Sequence, residues 1–152
     1  MEASIKKIIL ATDFSDTSKE AGYHALLLAQ TYNAELKALH VFDISVRNIP
    51  AQYYLTAGFE ALFIDSIEET RKRGKDTLKE LAKTFGIKIK TIFTEGKPGH
   101  EIVRVAEELN ADLIVLGTHG YTGWNRFTIG SVAEFVVKHA PCAVLTIRPK
   151  GK

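Results

Sequence analysis

The sequence predicts an α/β fold in which a parallel sheet is covered by helices on both faces. Two observations carry this prediction. Short runs rich in Ile, Val and Leu alternate with segments of helical period from end to end, and one run, Leu113-Ile114-Val115-Leu116, is apolar at every position. Alternating strand and helix is the pattern of βαβ units joined by right-handed crossovers. A strand with no polar face is buried on both sides, as a central parallel strand is.

Ile8-Ile9-Leu10 reads as the first strand, and a helix follows from Ser15, with Ala21, Ala25, Leu28 and Tyr32 recurring at helical spacing. Leu36 to Val41 reads as the second strand. The connection from Phe42 to Phe85 is the longest. Its second half keeps helical period through Ile67, Arg71, Gly74, Leu78, Leu81 and Phe85, with Glu68/Lys72 and Glu69/Arg73 as opposite charges four apart. Its first half, Ile49 to Phe63, crowds Tyr53, Tyr54, Leu55, Phe59, Leu62 and Phe63 together, so it is either a core-packed helix or a partner-facing surface. Ile87 to Phe93 alternates apolar residues with Lys and Thr, as a third strand with one wetter face does. Pro98 suits the first turn of the next helix, whose stripe is Ile102, Ala106 and Leu109. After the fourth strand, Val132, Phe135, Val136 and His139 mark a last helix and Ala143 to Ile147 a fifth strand. No repeat, low-complexity tract or linker divides the chain, so a single domain over residues 1–152 is expected.

Composition excludes several classes. The chain has 152 residues, 45% hydrophobic and 25% charged, which is the profile of one ordinary globular domain. At this size folding buries roughly 70% of the unfolded surface, enough for a core without disulfides or a structural metal. The single Cys142 excludes an intramolecular disulfide framework and fits a reducing compartment. No apolar run approaches the roughly 20 residues of a membrane-spanning helix, and the short run after Lys6-Lys7 ends at Asp13, too soon for an export signal. A cytoplasmic location is therefore expected. With 20 basic and 18 acidic residues intermixed, no basic patch points to nucleic acid or an anionic membrane.

In an open parallel sheet, ligands bind beyond the carboxyl ends of the strands where strand order reverses. That edge comprises Thr12 to Ser15, Val41 to Asp43, Thr94 to Gly96 and Gly117 to Gly120. The last opens a stretch to Ser131 that holds four glycines, Gly117, Gly120, Gly123 and Gly130. Glycine admits positive φ and close backbone approach, so such a loop can form a nest of N–H groups for phosphates. Ser131-Val132-Ala133-Glu134 has capping-box spacing, which places a helix N-terminus at Ser131. The same residues read equally as turn glycines and a simple cap.

The pattern Gly117-x-x-Gly120, nine residues, then Gly130-Ser131 resembles the ATP-binding signature of the universal stress protein family. Ile8 to Ser15 resembles that family's first strand and turn, Ala111 to Gly117 its fourth strand, and Gly130 to Glu134 with His139 to Leu145 its end. The resemblance covers almost the whole chain in order, Ile49 to Lys75 being least distinctive. It implies a doubly wound five-stranded sheet of order 3-2-1-4-5, a homodimer, and ATP or another adenine nucleotide with Mg²⁺. Asp13 and the Val41 backbone would then lie at the adenine end. Gly117, Gly120, Gly130, Ser131 and Val132 would surround ribose and phosphates, with Thr12, Thr118 and His119 also counted among the nucleotide-binding residues. The chain departs from the family's common pattern at Tyr121 and at Trp124-Asn125.

Other chemistry has less support. His40 and His119 fall near the ligand edge without a third metal ligand, and His24, His100 and His139 read as helix residues. Gly96-Lys97-Pro98-Gly99 lacks the first glycine and the Ser/Thr of a P-loop. Cys142 reads as a buried, inert thiol. Near the glycine loop only Arg126, Asp13 and His119 could serve phosphoryl transfer, so at most slow ATP hydrolysis is expected. The sequence thus reads as a nucleotide-dependent stress-response or regulatory homodimer, paired through the apolar edge strand Ala143 to Ile147. A slow ATPase or nucleotide-dependent transferase, and a nucleotide-independent adaptor, stand as alternatives. A response-regulator receiver is disfavoured, because Thr94-Glu95 stands where its phosphoacceptor Asp belongs.

Overall fold

The computed structural model describes residues 4–45, 52, 57–119 and 129–149. The elements run β1 (Lys7–Ala11), α1 (Asp16–Tyr32), β2 (Glu35–Phe42), α2 (Phe59–Thr84), β3 (Lys90–Glu95), α3 (Pro98–Leu109), β4 (Leu113–Gly117), α4 (Ser131–His139) and β5 (Ala143–Ile147). All strands pair in parallel, in the order β3-β2-β1-β4-β5. The order reverses between β1 and β4, so the expected doubly wound α/β sheet is the one observed.

The pleat of the sheet separates two cores. Ile8 and Leu10 face one layer with Leu36, Leu113, Val115, the small residues Ala21, Ala25 and Ala29 of α1, and Phe85 beyond α2. Ile9 and Ala11 face the other with Leu39, Ile114 and Leu116, under Ile102, Val105 and Ala106 of α3 and Ala133 and Val136 of α4. β4 is buried from Leu113 to Leu116, as a strand covered on both faces must be.

Helix α1 begins at Ser15, whose Oγ accepts the Ser18 N–H at 3.2 Å. It packs by a stripe of small residues, Ser18, Ala21, Gly22, Ala25 and Ala29. A methyl on Gly22 would lie 2.6 Å from Phe85 Cζ, which shows how closely α1 approaches the end of α2. Bulky side chains are left at the flanks: Leu28 is half-buried and Tyr32, expected inward, is 52% exposed. Both α1 and α3 end on a left-handed asparagine, Asn33 (φ 52°) and Asn110 (φ 49°), each followed by Ala and an acidic residue. The acidic residue's N–H then starts a strand against β1, Glu35 to the Lys6 carbonyl and Asp112 to the Lys7 carbonyl. The Asp112 carboxylate also receives the Lys6 and Lys7 N–H groups at 2.8 and 2.9 Å.

Two boundaries and one ion pair differ from expectation. β3 starts at Lys90 rather than Ile87, because its pairing with β2 begins at Lys37↔Lys90; Ile89 packs on the core below and Ile87 is exposed. α2 begins at Phe59, so the end of the Ile49 to Phe63 segment belongs to the same helix as its second half, with Phe63 half-buried. Tyr53, Tyr54 and Leu55 lie outside the described residues. In α2, Glu69 pairs with Arg73 at 2.8 Å as expected, but Glu68 pairs with Arg71 and not Lys72. Arg71 also grips Glu95 at the end of β3 and lies over the Phe42 ring, so it ties α2 to the sheet alongside buried Leu78. Among the described residues no helix is long and apolar enough to cross a membrane.

Candidate functional site

The turn after β1 is held by its own short polar side chains. Asp13 Oδ1 accepts the Ser15 N–H at 3.0 Å, and Thr12 Oγ1 accepts the Phe14 N–H at 3.0 Å. Ser18 spends its proton on the Ser15 carbonyl at 2.9 Å, so in the 3.1 Å contact between Thr12 Oγ1 and Ser18 Oγ it is Thr12 that donates. Phe14, between them, is left-handed at φ 67°, a conformation disfavoured for a bulky L-residue. The network leaves Asp13 exposed at the mouth of the turn, its second carboxylate oxygen without a partner among the described residues.

The turn after β4 is built differently. The Thr118 N–H bonds the Ile147 carbonyl at 2.8 Å and its carbonyl accepts the Gly130 N–H at 2.7 Å, so the segment leading into α4 is clamped onto β4 and β5. Thr118 Oγ1 lies 2.7 Å from His119 Nδ1, both residues being buried. Gly130, the N-cap of α4, has φ −64°, and a methyl there would sit 2.8 Å from the Thr118 carbonyl oxygen. Gly117 is hemmed in likewise, its added methyl 2.8 Å from Thr17 Cγ2 on α1. Both glycines are required by close packing, and of the two uses of glycine open to this loop, positive φ or close approach, Gly130 serves the second. Gly120, with Tyr121, Trp124, Asn125 and Arg126, lies outside the described residues.

The capping-box expectation at Ser131 also fails. Ser131 is the first helical residue rather than the cap, Gly130 makes no side-chain cap, and Glu134 turns to Lys138 at 2.6 Å. The first intrahelical bond runs from the Glu134 N–H to the Gly130 carbonyl at 2.9 Å. The N–H groups of Ser131, Val132 and Ala133 therefore precede the helical ladder, at the positive end of the helix.

Between these two turns, at the reversal point of the sheet, opens a cavity of about 320 Å³. Its wall is largely apolar, from Ala11, Leu39, Val41 and Leu116 on the strands and Pro98 and Ile102 on α3. Thr12, Asp13, Ser18, His119 and Ser131 supply polar groups, and Gly117, Gly130 and Val132 complete the rim. The structure thus brings together eight expected site residues: Thr12, Asp13, Val41, Gly117, His119, Gly130, Ser131 and Val132. Thr118 is the exception, since it is buried in the clamp behind the wall and lines nothing. Pro98, Ile102 and Ser18 were not foreseen; Pro98 follows the Thr94 to Gly96 edge that the strand-end rule selects. Behind β2, His40 donates from Nδ1 to the Thr12 carbonyl at 2.8 Å, and burial pushes its imidazole below the ordinary histidine value against the pull of that bond and of Asp13. Burial and Asp112 push the Cys142 thiol up, as befits an unreactive group. No group of three or more metal-ligating side chains occurs among the described residues.

Comparison with known proteins places this geometry. The model of the universal stress protein family matches residues 4–148. Universal stress protein MJ0531 of Methanocaldococcus jannaschii is 41% identical over 148 residues, 97% of this chain and 84% of the relative. The solved universal stress protein UspA from Lactobacillus plantarum superposes with a TM-score of 0.72 at 32% identity, covering 97% of this chain and 100% of that one. A universal stress protein crystallised in complex with cAMP has the same fold, with a TM-score of 0.61, 24% identity and coverage of 95% and 97%.

Proposed function

This chain belongs to the universal stress protein family, and from that premise we propose that it is an adenine-nucleotide-binding regulatory module, acting as a homodimer and taking ATP with Mg²⁺. The observation that carries the reading is the cavity at the reversal point, whose size falls within the roughly 300–1,000 Å³ of small-molecule sites. Its apolar wall of Val41, Pro98, Ile102 and Leu116 suits a flat base, and Asp13 beside it can accept from ribose hydroxyls. The leading N–H groups of α4 with the Ser131 hydroxyl suit phosphate oxygens. The cAMP bound by the solved family member is an adenine nucleotide of this kind.

Mg²⁺ would enter with the triphosphate, where it neutralises phosphate charge. Asp13 is the one carboxylate among the described residues lining the cavity, and no cage of protein ligands is needed for a cation held by phosphates. With Asp13 and His119 as the titratable side chains of that wall, the reading is of binding with a conformational output rather than of turnover. The dimer is proposed through β5, an edge of the sheet whose residues Val144 to Ile147 are half-buried within one chain. Light scattering should return twice 16.9 kDa; a monomer with and without nucleotide removes this part.

The test of binding is a thermal-shift titration of refolded, nucleotide-free protein with ATP and Mg²⁺, alongside AMP, cAMP and GTP. A ligand at one hundred times its dissociation constant adds about 2.7 kcal/mol of stability. A saturable shift with adenine nucleotides and none with GTP supports the proposal, and no shift with any nucleotide removes it.

A further inference from the structure

One titratable side chain near the site takes no part in lining it. His40 lies on the opposite face of β2 from Leu39 and Val41, so it stands behind the cavity wall. Three features tie it to the turn that presents Asp13. Its Nδ1 lies 2.8 Å from the Thr12 carbonyl oxygen, and because a carbonyl only accepts, the proton is on Nδ1. Its ring stacks on Phe14 with centroids 4.3 Å apart and planes 29° from parallel. On its far side it meets Phe93 at 5.8 Å, and a methyl added to Gly74 of α2 would lie 3.7 Å from its Nε2 and Cδ2 atoms.

Asp13 is therefore bracketed by two residues that His40 holds, Thr12 by a hydrogen bond and Phe14 by ring contact. Phe14 needs such a partner, because its left-handed backbone is sterically disfavoured and something must hold it there. Nothing in the packing of the two cores requires a histidine at this place: neighbouring Leu39 and Ala38 are aliphatic and fully buried. Resting on the nucleotide-binding reading above, we infer that His40 is a positioning residue for the site, fixing Thr12 and Phe14 so that Asp13 stands preorganised at the cavity mouth. Preorganisation of this kind appears as ligand affinity, because the cost of ordering the turn is met before the ligand arrives.

The test compares His40→Asn with His40→Phe. Asparagine can place an amide N–H where Nδ1–H stands, while phenylalanine keeps the stack on Phe14 and removes the donor. Titration with ATP and Mg²⁺ should show His40→Phe weakened roughly tenfold, the worth of about one hydrogen bond, and His40→Asn closer to the wild type. A purely structural role would not distinguish the variants in this order once both are shown folded. Ligand-free hydrogen exchange provides the independent readout. The Phe14 and Ser15 amides, bonded at 3.0 Å to Thr12 Oγ1 and Asp13 Oδ1, should exchange at least about tenfold faster in His40→Phe while β1 and β4 amides are unchanged. Unaltered exchange and equal affinity in all three proteins overturn the inference. If the wild type binds no nucleotide, the binding reading falls on its own, and the exchange result alone supports or overturns the buttress.

Discussion

A single methyl at position 130 tests how the turn into α4 is built. Gly130 has φ −64° and ψ 153°, which any L-residue adopts, so Gly130→Ala carries no backbone penalty. The added Cβ would stand 2.8 Å from the Thr118 carbonyl oxygen, against about 3.4 Å for ordinary contact. That oxygen cannot swing aside: it accepts the Gly130 N–H at 2.7 Å, and the Thr118 N–H is bound to Ile147 at 2.8 Å. Opening the gap stretches the first bond and strains the clamp. Overpacking of this kind costs about 1–3 kcal/mol, so we expect about 2 kcal/mol, or a fall of about 4–8 °C in melting temperature for a chain of this length. Urea denaturation of Gly130→Ala and Gly86→Ala separates two causes. Gly86 has φ +67° with nothing within 4 Å, so its loss of stability comes from left-handed backbone alone, about 1–2 kcal/mol. A Gly130→Ala protein as stable as wild type would refute the packing account of this glycine.

Further outcomes are expected elsewhere. Ser15→Ala should lose about 1 kcal/mol in urea denaturation, because Ser15 caps α1, whereas Ser131→Ala should change stability by less than about 0.5 kcal/mol, because Ser131 caps nothing. Stability should fall on acidification through His40, whose folded pKa lies below its ordinary 6.5. Between those two values the unfolded chain holds the extra proton, so the contribution is complete above about pH 6.5 and is lost as pH falls toward the folded value, at most about 1.4 kcal/mol per pH unit. Asp13 favours the charged ring, while Lys75, at 5.2 Å over Phe93, and Arg71, paired with Glu68 and Glu95, stand on the α2 side. Denaturation curves at pH 7.5 and 5.5 should differ less for His40→Asn than for wild type.

The sheet was legible because its signals are local. Fully apolar β4 and the apolar run of β5 declare their layer through side-chain type and period alone, whereas in α1 the period reads through Ala21 and Ala25 to Leu28 and Tyr32, while the helix packs through Ser18, Gly22 and Ala29 instead. The cavity was legible in outline because strand-end geometry selects Thr12, Asp13, Val41 and Gly117 whatever the ligand. What stayed hidden depends on contacts between distant segments. Ser131-x-x-Glu134 has capping spacing, but Lys138 takes the glutamate, and nothing within the four residues says so. The loop's glycines leave positive φ and close approach both open, and only the contact with the Thr118 carbonyl decides for the second at Gly130; among the described non-glycine residues the left-handed positions are Phe14, Asn33 and Asn110. The two asparagines could have been found, since each precedes Ala and an acid before a strand. Phe14 could not, because its ring rests on His40 of the neighbouring strand, a contact that its own turn does not reveal. Pro98 and Ile102 reach the cavity only because α3 crosses over β2, a matter of tertiary path.

The central claim is that an adenine nucleotide occupies the cavity between the turn after β1 and the start of α4. Its most direct test is calorimetric titration of ATP and Mg²⁺ into nucleotide-free wild type and into Val132→Trp. Val132 lines the cavity yet is 36% exposed, so a larger side chain there fills the cavity without entering either core. The account predicts one nucleotide per chain in the wild type and at least about tenfold weaker binding in the folded variant, a loss of about 1.4 kcal/mol. Equal binding by both proteins would place the nucleotide elsewhere and contradict the account.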